Sequence, residues 1–235
     1  MIFIIGKRKR CEVFLSKIKN TKYKYSYIEY VSKNLFISNN NNYSEKEIFE
    51  NISKSQNEIK IVFLINVSSI LNCNWAKFNT FISHGGKLPQ YRGASVINWQ
   101  IINQEKNIVI SIVLFNKKLD SGNFIFEKYI TPNKPLTFLR PKIDKWYAKN
   151  FLNISKTLLQ KKKLISKKQS GKIKYWPNRT PIHSLVNINL IKNYNEFKSL
   201  VYACEEGYWL NFFINENEKI YVSYCSKNYK KCLAL

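Results

Sequence analysis

"FISHGGKLPQYRGASVINW", Phe81 to Trp99, sets one of the chain's two histidines between a short apolar run and a glycine pair. The "NTFIS" that leads into it has the β-branched and aromatic content of a strand, and "SVINWQIINQE" behind it has helical spacing. Strand, glycine-rich turn and helix in that order are the repeating unit of an α/β sheet, and His84 stands where the strand gives way to the turn. Gly85 and Gly86 permit close backbone approach of a ligand there, while Pro89 and Gly93 fix the turn.

The same alternation extends outward in both directions. "IKIVFLINVSS", before the motif, reads as a buried strand by its length and β-branched content. At the start, "MIFII" is a continuous apolar run ended by Gly6, and "CEVFLSKIKN" then places Val13, Phe14 and Ile18 on one helical face. "KYSYIEYVS" is a further strand. An asparagine-rich loop follows, then Ser44 with Glu47 three residues on, the signature of a helix start. After the motif, the strands "NIVISIVLF" and "NFIFEKYI" flank "NKKLDSG", and Thr137 to about Gln160 reads as a long helix whose start is blurred by Pro141. These segments predict an α/β fold, a Rossmann-like and mostly parallel sheet flanked by helices, over residues 1–160. The rest contains "YWPNRTP", a helix in "NEFKSLVYACEEG" and strands at "YWLNFFI" and "KIYVSYC", which predicts a small mixed α+β C-terminal subdomain over 161–235. There is no internal repeat.

At 235 residues the chain can bury a sizeable core. Its longest apolar runs fall far short of the roughly 20 residues of a membrane helix, and "MIFIIG" passes straight into "KRKR" without the cleavage site of a signal peptide. The expected location is therefore cytoplasmic. Cys11, Cys73, Cys204, Cys225 and Cys232 are scattered without C-x-x-C spacing, so neither a disulfide framework nor a metal site is expected. A net charge of +24 has two readings. One is an anionic partner; the other is a composition rich in Lys, Asn and Ile throughout, whose lysines sit in water. Only "QKKKLISKKQSGKIK", Gln160 to Lys174, is dense enough to form a local patch.

His84 is expected at the carboxyl edge of the sheet, where open α/β folds bind ligands. Asp120, in "LDSG", is expected at the end of a neighbouring strand, with Ser121 and Gly122 shaping the turn. A histidine and a carboxylate so presented can form a proton-transfer pair, the carboxylate orienting the ring and raising its basicity. Singly, each residue also has a structural reading: a loop histidine that packs, and a common turn.

The stretch from His84 to Ile125, "HGGKLPQYRGASVINWQIINQEKNIVISIVLFNKKLDSGNFI", resembles the signature region of the folate-dependent formyltransferase family. Its members carry Asn-x-His, a Leu-Pro-x-Tyr-Arg-Gly loop and a later Leu/Ile-Asp-x-Gly element. His84 and Asp120 lie 36 positions apart, as the family's pair does. The strong likeness covers about a fifth of the chain, and "VFLINVSSIL" and Arg179 to Pro181 share it more weakly.

The resemblance implies transfer of a formyl group from 10-formyltetrahydrofolate, as co-substrate, to a primary amine. The amine attacks the formyl carbon, an oxyanion develops, and a proton moves from the amine to the departing folate nitrogen. His84 would serve the oxyanion or the proton, and Asp120 would orient His84. The pterin is usually held by main-chain atoms after the strand matched here by "LINVSSIL", which makes Asn66, Val67, Ser68, Ser69, Ile70 and Leu71 its candidate wall. Two departures stand out. The family's asparagine is Ile82 here, which has no hydrogen bond to give an oxyanion, so Ser83, Asn79 or a main-chain N–H would have to replace it. The usual glycine-rich first turn is "GKRKRC" here.

Among acceptors, the motif looks most like that of formyltransferases acting on nucleotide-linked amino sugars in surface polysaccharide synthesis, small anionic substrates rather than nucleic acid or membrane. Gly85, Gly86, Lys87, Arg92 and Trp99 are the candidate contacts, although Arg92 is also placed to brace its own loop and Trp99 to join the core. His183, in "RTPIHSL", has no ionisable companion at a recognisable spacing, which favours a surface or packing role. A methionyl-tRNA formyltransferase-like enzyme, and a catalytically lapsed relative that binds a nucleotide or polyanion, are the alternatives. Oligomeric state is open, a homodimer included.

Overall fold

The computed structural model describes residues 1–32, 35–68, 70–180, 183, 185–187, 190–204, 210–215 and 218–222. In chain order its elements are β1 (Ile2–Gly6), α1 (Arg8–Lys19), β2 (Tyr25–Ser32), β3 (Leu35–Ser38), β4 (Asn41–Tyr43), α2 (Glu45–Lys54) and β5 (Ile61–Ile65). A 3-10 turn at Trp75–Lys77 then leads to β6 (Asn79–His84), β7 (Arg92–Gly93), α3 (Val96–Ile102), β8 (Ile108–Leu114), β9 (Phe124–Ile130) and α4 (Leu136–Leu159). The last described elements are β10 (Tyr175–Trp176), β11 (Leu185–Asn187), α5 (Tyr194–Tyr202), β12 (Leu210–Asn215) and β13 (Glu218–Val222).

Eight strands form one sheet in the order β4-β3-β2-β1-β5-β6-β8-β9. The middle four, β2, β1, β5 and β6, are parallel. All five residues of β1 and of β5 are buried, as their unbroken apolar sequences require of strands covered on both faces. Antiparallel pairs lie on each flank: β3 and β4 beyond β2, and β8 and β9 beyond β6. The asparagine-rich "loop" is thus partly a hairpin, turning through Asn39 and Asn40 in left-handed conformations that asparagine tolerates.

One face of the sheet packs against α1, α3 and α4 around Phe14, Phe63, Phe81 and Phe151. Cys11, rather than Val13, heads the buried stripe of α1, with Phe14 and Ile18. Pro141 lies inside α4 near its start, where one lost backbone donor is tolerated under the packing of Leu136, Leu139 and Ile143. The other face packs against α2 and Trp75. The capping box read from Ser44 and Glu47 is present, Glu47 N–H donating to Ser44 Oγ at 3.3 Å and Ser44 N–H to Glu47 Oε2 at 2.7 Å.

Glu45 is the neighbour of that box and has a larger task. Its buried carboxylate accepts from Asn72 N–H at 3.0 Å, Cys73 N–H at 2.8 Å and Trp75 Nε1–H at 2.9 Å. It pins the far end of the loop that follows β5. Glu45→Ala strands three donors, and an unsatisfied buried donor costs about 1–3 kcal/mol, so urea unfolding is expected to give a loss of about 3 kcal/mol in total. Burial and then the Glu45 charge push the Cys73 thiol up to about 11 from 9.0, so protonation is favoured and the thiolate becomes scarce. At pH 8 Cys73 should therefore alkylate about 100-fold more slowly than a free thiol, and faster in Glu45→Ala, as read by mass spectrometry of the labelled peptides.

Beyond α4 the chain returns over the sheet edge. Lys167 bridges Phe124, and β10 pairs in parallel with β7. Helix α5 packs on α3, Asn98 Nδ2 donating to Ala203 O at 2.8 Å. Strands β11, β12 and β13 form a separate three-stranded sheet. Cys225, Cys232 and Ser69 lie outside the described residues.

Candidate active site

Connections from β1 and from β5 leave in opposite directions along the sheet, so the crevice between their carboxyl ends is the switch point where such folds bind ligands. The end of β6 lies beside it. His84 is the last residue of β6 and is 4% exposed. Its Nε2 lies 2.7 Å from Tyr91 O, and a carbonyl oxygen only accepts, so Nε2 carries a proton. Nδ1 faces Asp120 Oδ1 at 3.5 Å. In the neutral ring that atom is a lone pair facing a carboxylate, and the contact becomes attractive only when a proton lies between the two. The structure therefore brings His84 and Asp120 together as a unit that can take up and release a proton between Nδ1 and Oδ1.

Asp120 does not sit at a strand end. Strand β8 runs antiparallel to β6, with Leu114 opposite Phe81 and Ser111 opposite His84, so its carboxyl end lies away from the histidine. The loop between β8 and β9 carries Asp120 back. Two features hold it there. Gly93 N–H donates to Asp120 Oδ2 at 2.7 Å, tying the aspartate to the turn beyond His84. Asp120 itself is left-handed at φ +48, a conformation that costs a non-glycine residue on the order of 1–3 kcal/mol and persists only where neighbours enforce it. Gly122 closes the loop: a Cβ there would lie 1.7 Å from Leu114 O.

The predicted contacts divide. At Gly86 a side chain would meet Tyr91 O at 2.3 Å and His84 Nε2 at 2.7 Å, and at Gly85 it would meet the Ile97 side chain at 2.4 Å. What comes close to the Cα atoms of these glycines is the chain's own turn and helix, which accounts for glycine at both positions. Arg92 is buried: its guanidinium donates to Gln169 Oε1 at 2.8 Å and Tyr175 Oη at 3.4 Å, the contacts of a loop brace. Trp99 stacks on Trp176 and donates from Nε1 to Pro177 O at 2.9 Å, with the exposed His183 ring edge-on beside it, so it too packs. Lys87 alone of this group is exposed.

Ile82 lies on the same face of β6 as His84 and packs with Leu88, Val113 and Phe124. Neither side chain named as its substitute reaches that face. Ser83 points the other way, its hydroxyl accepting from Asn66 N–H at 3.3 Å and donating to Leu64 O at 3.4 Å. Asn79 is exposed at the opposite end of the strand.

The loop after β5 leaves its backbone open. Among the described residues, the main-chain groups of Val67, Ser68, Ile70 and Leu71 have no hydrogen-bond partner, and Ile70 is 68% exposed. Ser83 at one end and Glu45 at the other hold the loop. Free N–H and C=O groups on a pinned loop fit the main-chain recognition of a pterin.

Three participants were not legible as such. Tyr147, buried on α4, donates its hydroxyl to His84 O at 2.8 Å, and burial pushes its phenol well above the ordinary value. Tyr91 donates to Glu105 Oε1 at 2.8 Å, its phenol pushed up to about 12, chiefly by burial. Gln169 bonds to Asp120 and Gly122 from 49 and 47 residues away. Among the described residues no His, Cys, Asp or Glu group could hold a metal, and no helix is long and apolar enough to cross a membrane.

No protein-family model matches the chain. A methionyl-tRNA formyltransferase of Caldanaerobacter subterraneus subsp. tengcongensis is 47% identical over 47 residues, 20% of this chain and 15% of that one. Such curated relatives are matched over only 15% to 26% of their own length in the first two cases. The fold likeness reaches further. A sugar N-formyltransferase from a Shewanella species superposes with TM-score 0.70 at 14% identity, covering 96% of this chain and 97% of that one. HypX from Aquifex aeolicus, solved in complex with tetrahydrofolic acid, gives 0.70 at 14% identity over 90% of this chain and 35% of that one. Over part of its length the chain is similar in sequence to methionyl-tRNA formyltransferases, and over nearly all of it the fold is that of the sugar N-formyltransferase it superposes on.

Proposed function

We propose that this protein is an N-formyltransferase that moves a formyl group from 10-formyltetrahydrofolate to the primary amine of a nucleotide-linked amino sugar. The observation that carries the reading is the buried His84–Asp120 pair at the carboxyl edge of the sheet, beside a pinned loop with free main-chain groups. The folate, when bound, supplies the formyl carbon; Val67, Ser68, Ile70 and Leu71 are the described residues that would hold its pterin. The chain's own part is to accept the proton released by the amine. With the Nε2–H kept on Tyr91 O, the proton is taken up between His84 Nδ1 and Asp120 Oδ1 and given back to the departing folate nitrogen. Exposed Lys87, Lys117, Lys118, Lys168 and Lys172 lie on the His84 turn, the Asp120 loop and the tract that crosses it, and suit an anionic acceptor.

A second reading is favoured by Ile82. It puts an apolar side chain on the face where an oxyanion would seek a donor, as a lapsed catalyst that still binds its ligands would have. One assay separates the possibilities: release of tetrahydrofolate from 10-formyltetrahydrofolate with a panel of dTDP-, UDP- and GDP-linked 3-amino and 4-amino sugars, and with initiator methionyl-tRNA. Turnover with one sugar is expected. Turnover with the tRNA alone would transfer the assignment to that acceptor, and silence with folate still bound would favour the lapsed catalyst.

A further inference from the structure

We propose that Gln169 is the positioning residue of the His84–Asp120 pair, so that the lysine-rich tract after α4 is part of the active site. The proposal rests on that pair being the reacting one. Gln169 Nε2 has two hydrogens, and each has a carbonyl: Asp120 O at 2.7 Å and Gly122 O at 2.8 Å. The amide therefore clamps the turn from both sides of Ser121, the place where Asp120 adopts its left-handed backbone. Its oxygen is taken as well, by Arg92 Nη2–H at 2.8 Å. Every hydrogen-bonding direction of the side chain but one acceptor lone pair is thus used to join three segments, the Asp120 loop, the "YRG" turn and the tract itself.

The tract is fixed at both sides of Gln169, by the Lys167–Phe124 bridge and by the pairing of β10 with β7. Gln169 is therefore held on a stiff segment and can impose a geometry on the softer loop. Asp120 receives two constraints, Gly93 N–H on its carboxylate and Gln169 on its main chain. The first sets where the carboxylate points. The second keeps the backbone in a conformation that an aspartate leaves when it is free to do so.

The test reads the ring of His84 directly. The chain has only two histidines, so protein labelled with nitrogen-15 in its imidazoles gives two sets of ring signals, and His183→Gln tells them apart. In Gln169→Ala the Nδ1 signal of His84 is expected to move to where Asp120→Asn places it, with His183 unchanged. Formyl transfer should fall about 10- to 100-fold in kcat with KM for the amine within about twofold, since a misplaced partner group costs rate rather than binding. Gln169→Glu still accepts from Arg92 but has no N–H for the two carbonyls, so it should behave as Gln169→Ala. His84 signals that stay at their wild-type positions in both variants would overturn the proposal, whatever happens to activity. Wild-type signals in Gln169→Glu alone would also overturn it, because Arg92 bracing would then suffice. The spectroscopic result does not depend on the wild-type protein turning over, so it stands or falls separately from the formyltransferase assignment.

Discussion

Asp120→Asn is expected to lower formyl transfer by about 1,000-fold while leaving the fold intact. Asparagine tolerates the left-handed backbone of position 120 and still offers an oxygen to Gly93 N–H, so the loop keeps its shape. What is lost is the negative charge facing His84 Nδ1, and with it the partner that stabilises the ring when it takes a proton. His84→Ala should match that loss. It leaves Tyr91 O without its partner, a cost of about 1–3 kcal/mol, which a buried core of this extent withstands. Steady-state rates with circular dichroism as the control for folding make the measurement. A folded Asp120→Asn protein with wild-type turnover would remove the pair from the chemistry.

Ile82→Asn is expected to raise kcat by about 10- to 100-fold. A single oxyanion donor is worth about 100- to 1,000-fold in related acyl-transfer chemistry, and an asparagine on this face of β6 restores one beside His84. The gain should be smaller than the full amount because the pocket around Leu88, Val113 and Phe124 is shaped for an aliphatic side chain and an amide in it is partly desolvated. The same substitution should lower stability by about 1–2 kcal/mol in urea unfolding. A rate that does not change would mean that a main-chain N–H already serves the oxyanion, since Ser83 and Asn79 do not reach that face.

The sequence and the structure agree most closely where side-chain chemistry is local. Strands β1 and β5 are runs without a polar residue, and only burial on both faces accommodates them. The start of α2 is set by Ser44 and Glu47, three residues apart. Orientation is a different matter: "NIVISIVLF" has the same apolar run whether β8 lies parallel or antiparallel to β6, and the antiparallel choice moves Asp120 from a strand end into a loop. The β3–β4 hairpin was hidden because Asn41–Tyr43 is polar and three residues long, although Asn39 and Asn40 supply a turn signal of the kind that joins hairpins. Histidine and aspartate were legible as candidates because their residue types carry chemistry. Gln169 was not, because a single amide in a lysine-rich tract has no spacing rule that links it to a loop 49 residues earlier. Gly85 and Gly86 were singled out for close approach, and the protein atoms nearest a side chain there are the Ile97 side chain and Tyr91 O.

The most direct test of the central claim is to follow the formyl carbon itself. The unmodified protein is incubated with 10-formyltetrahydrofolate labelled at that carbon and with the panel of nucleotide-linked amino sugars, and the label is located by mass spectrometry. Label on the nitrogen of one amino sugar, absent with its amine-free analogue and absent in Asp120→Asn, is the result predicted here. Label that never leaves the folate, or that reaches the amine equally well in Asp120→Asn, would contradict it.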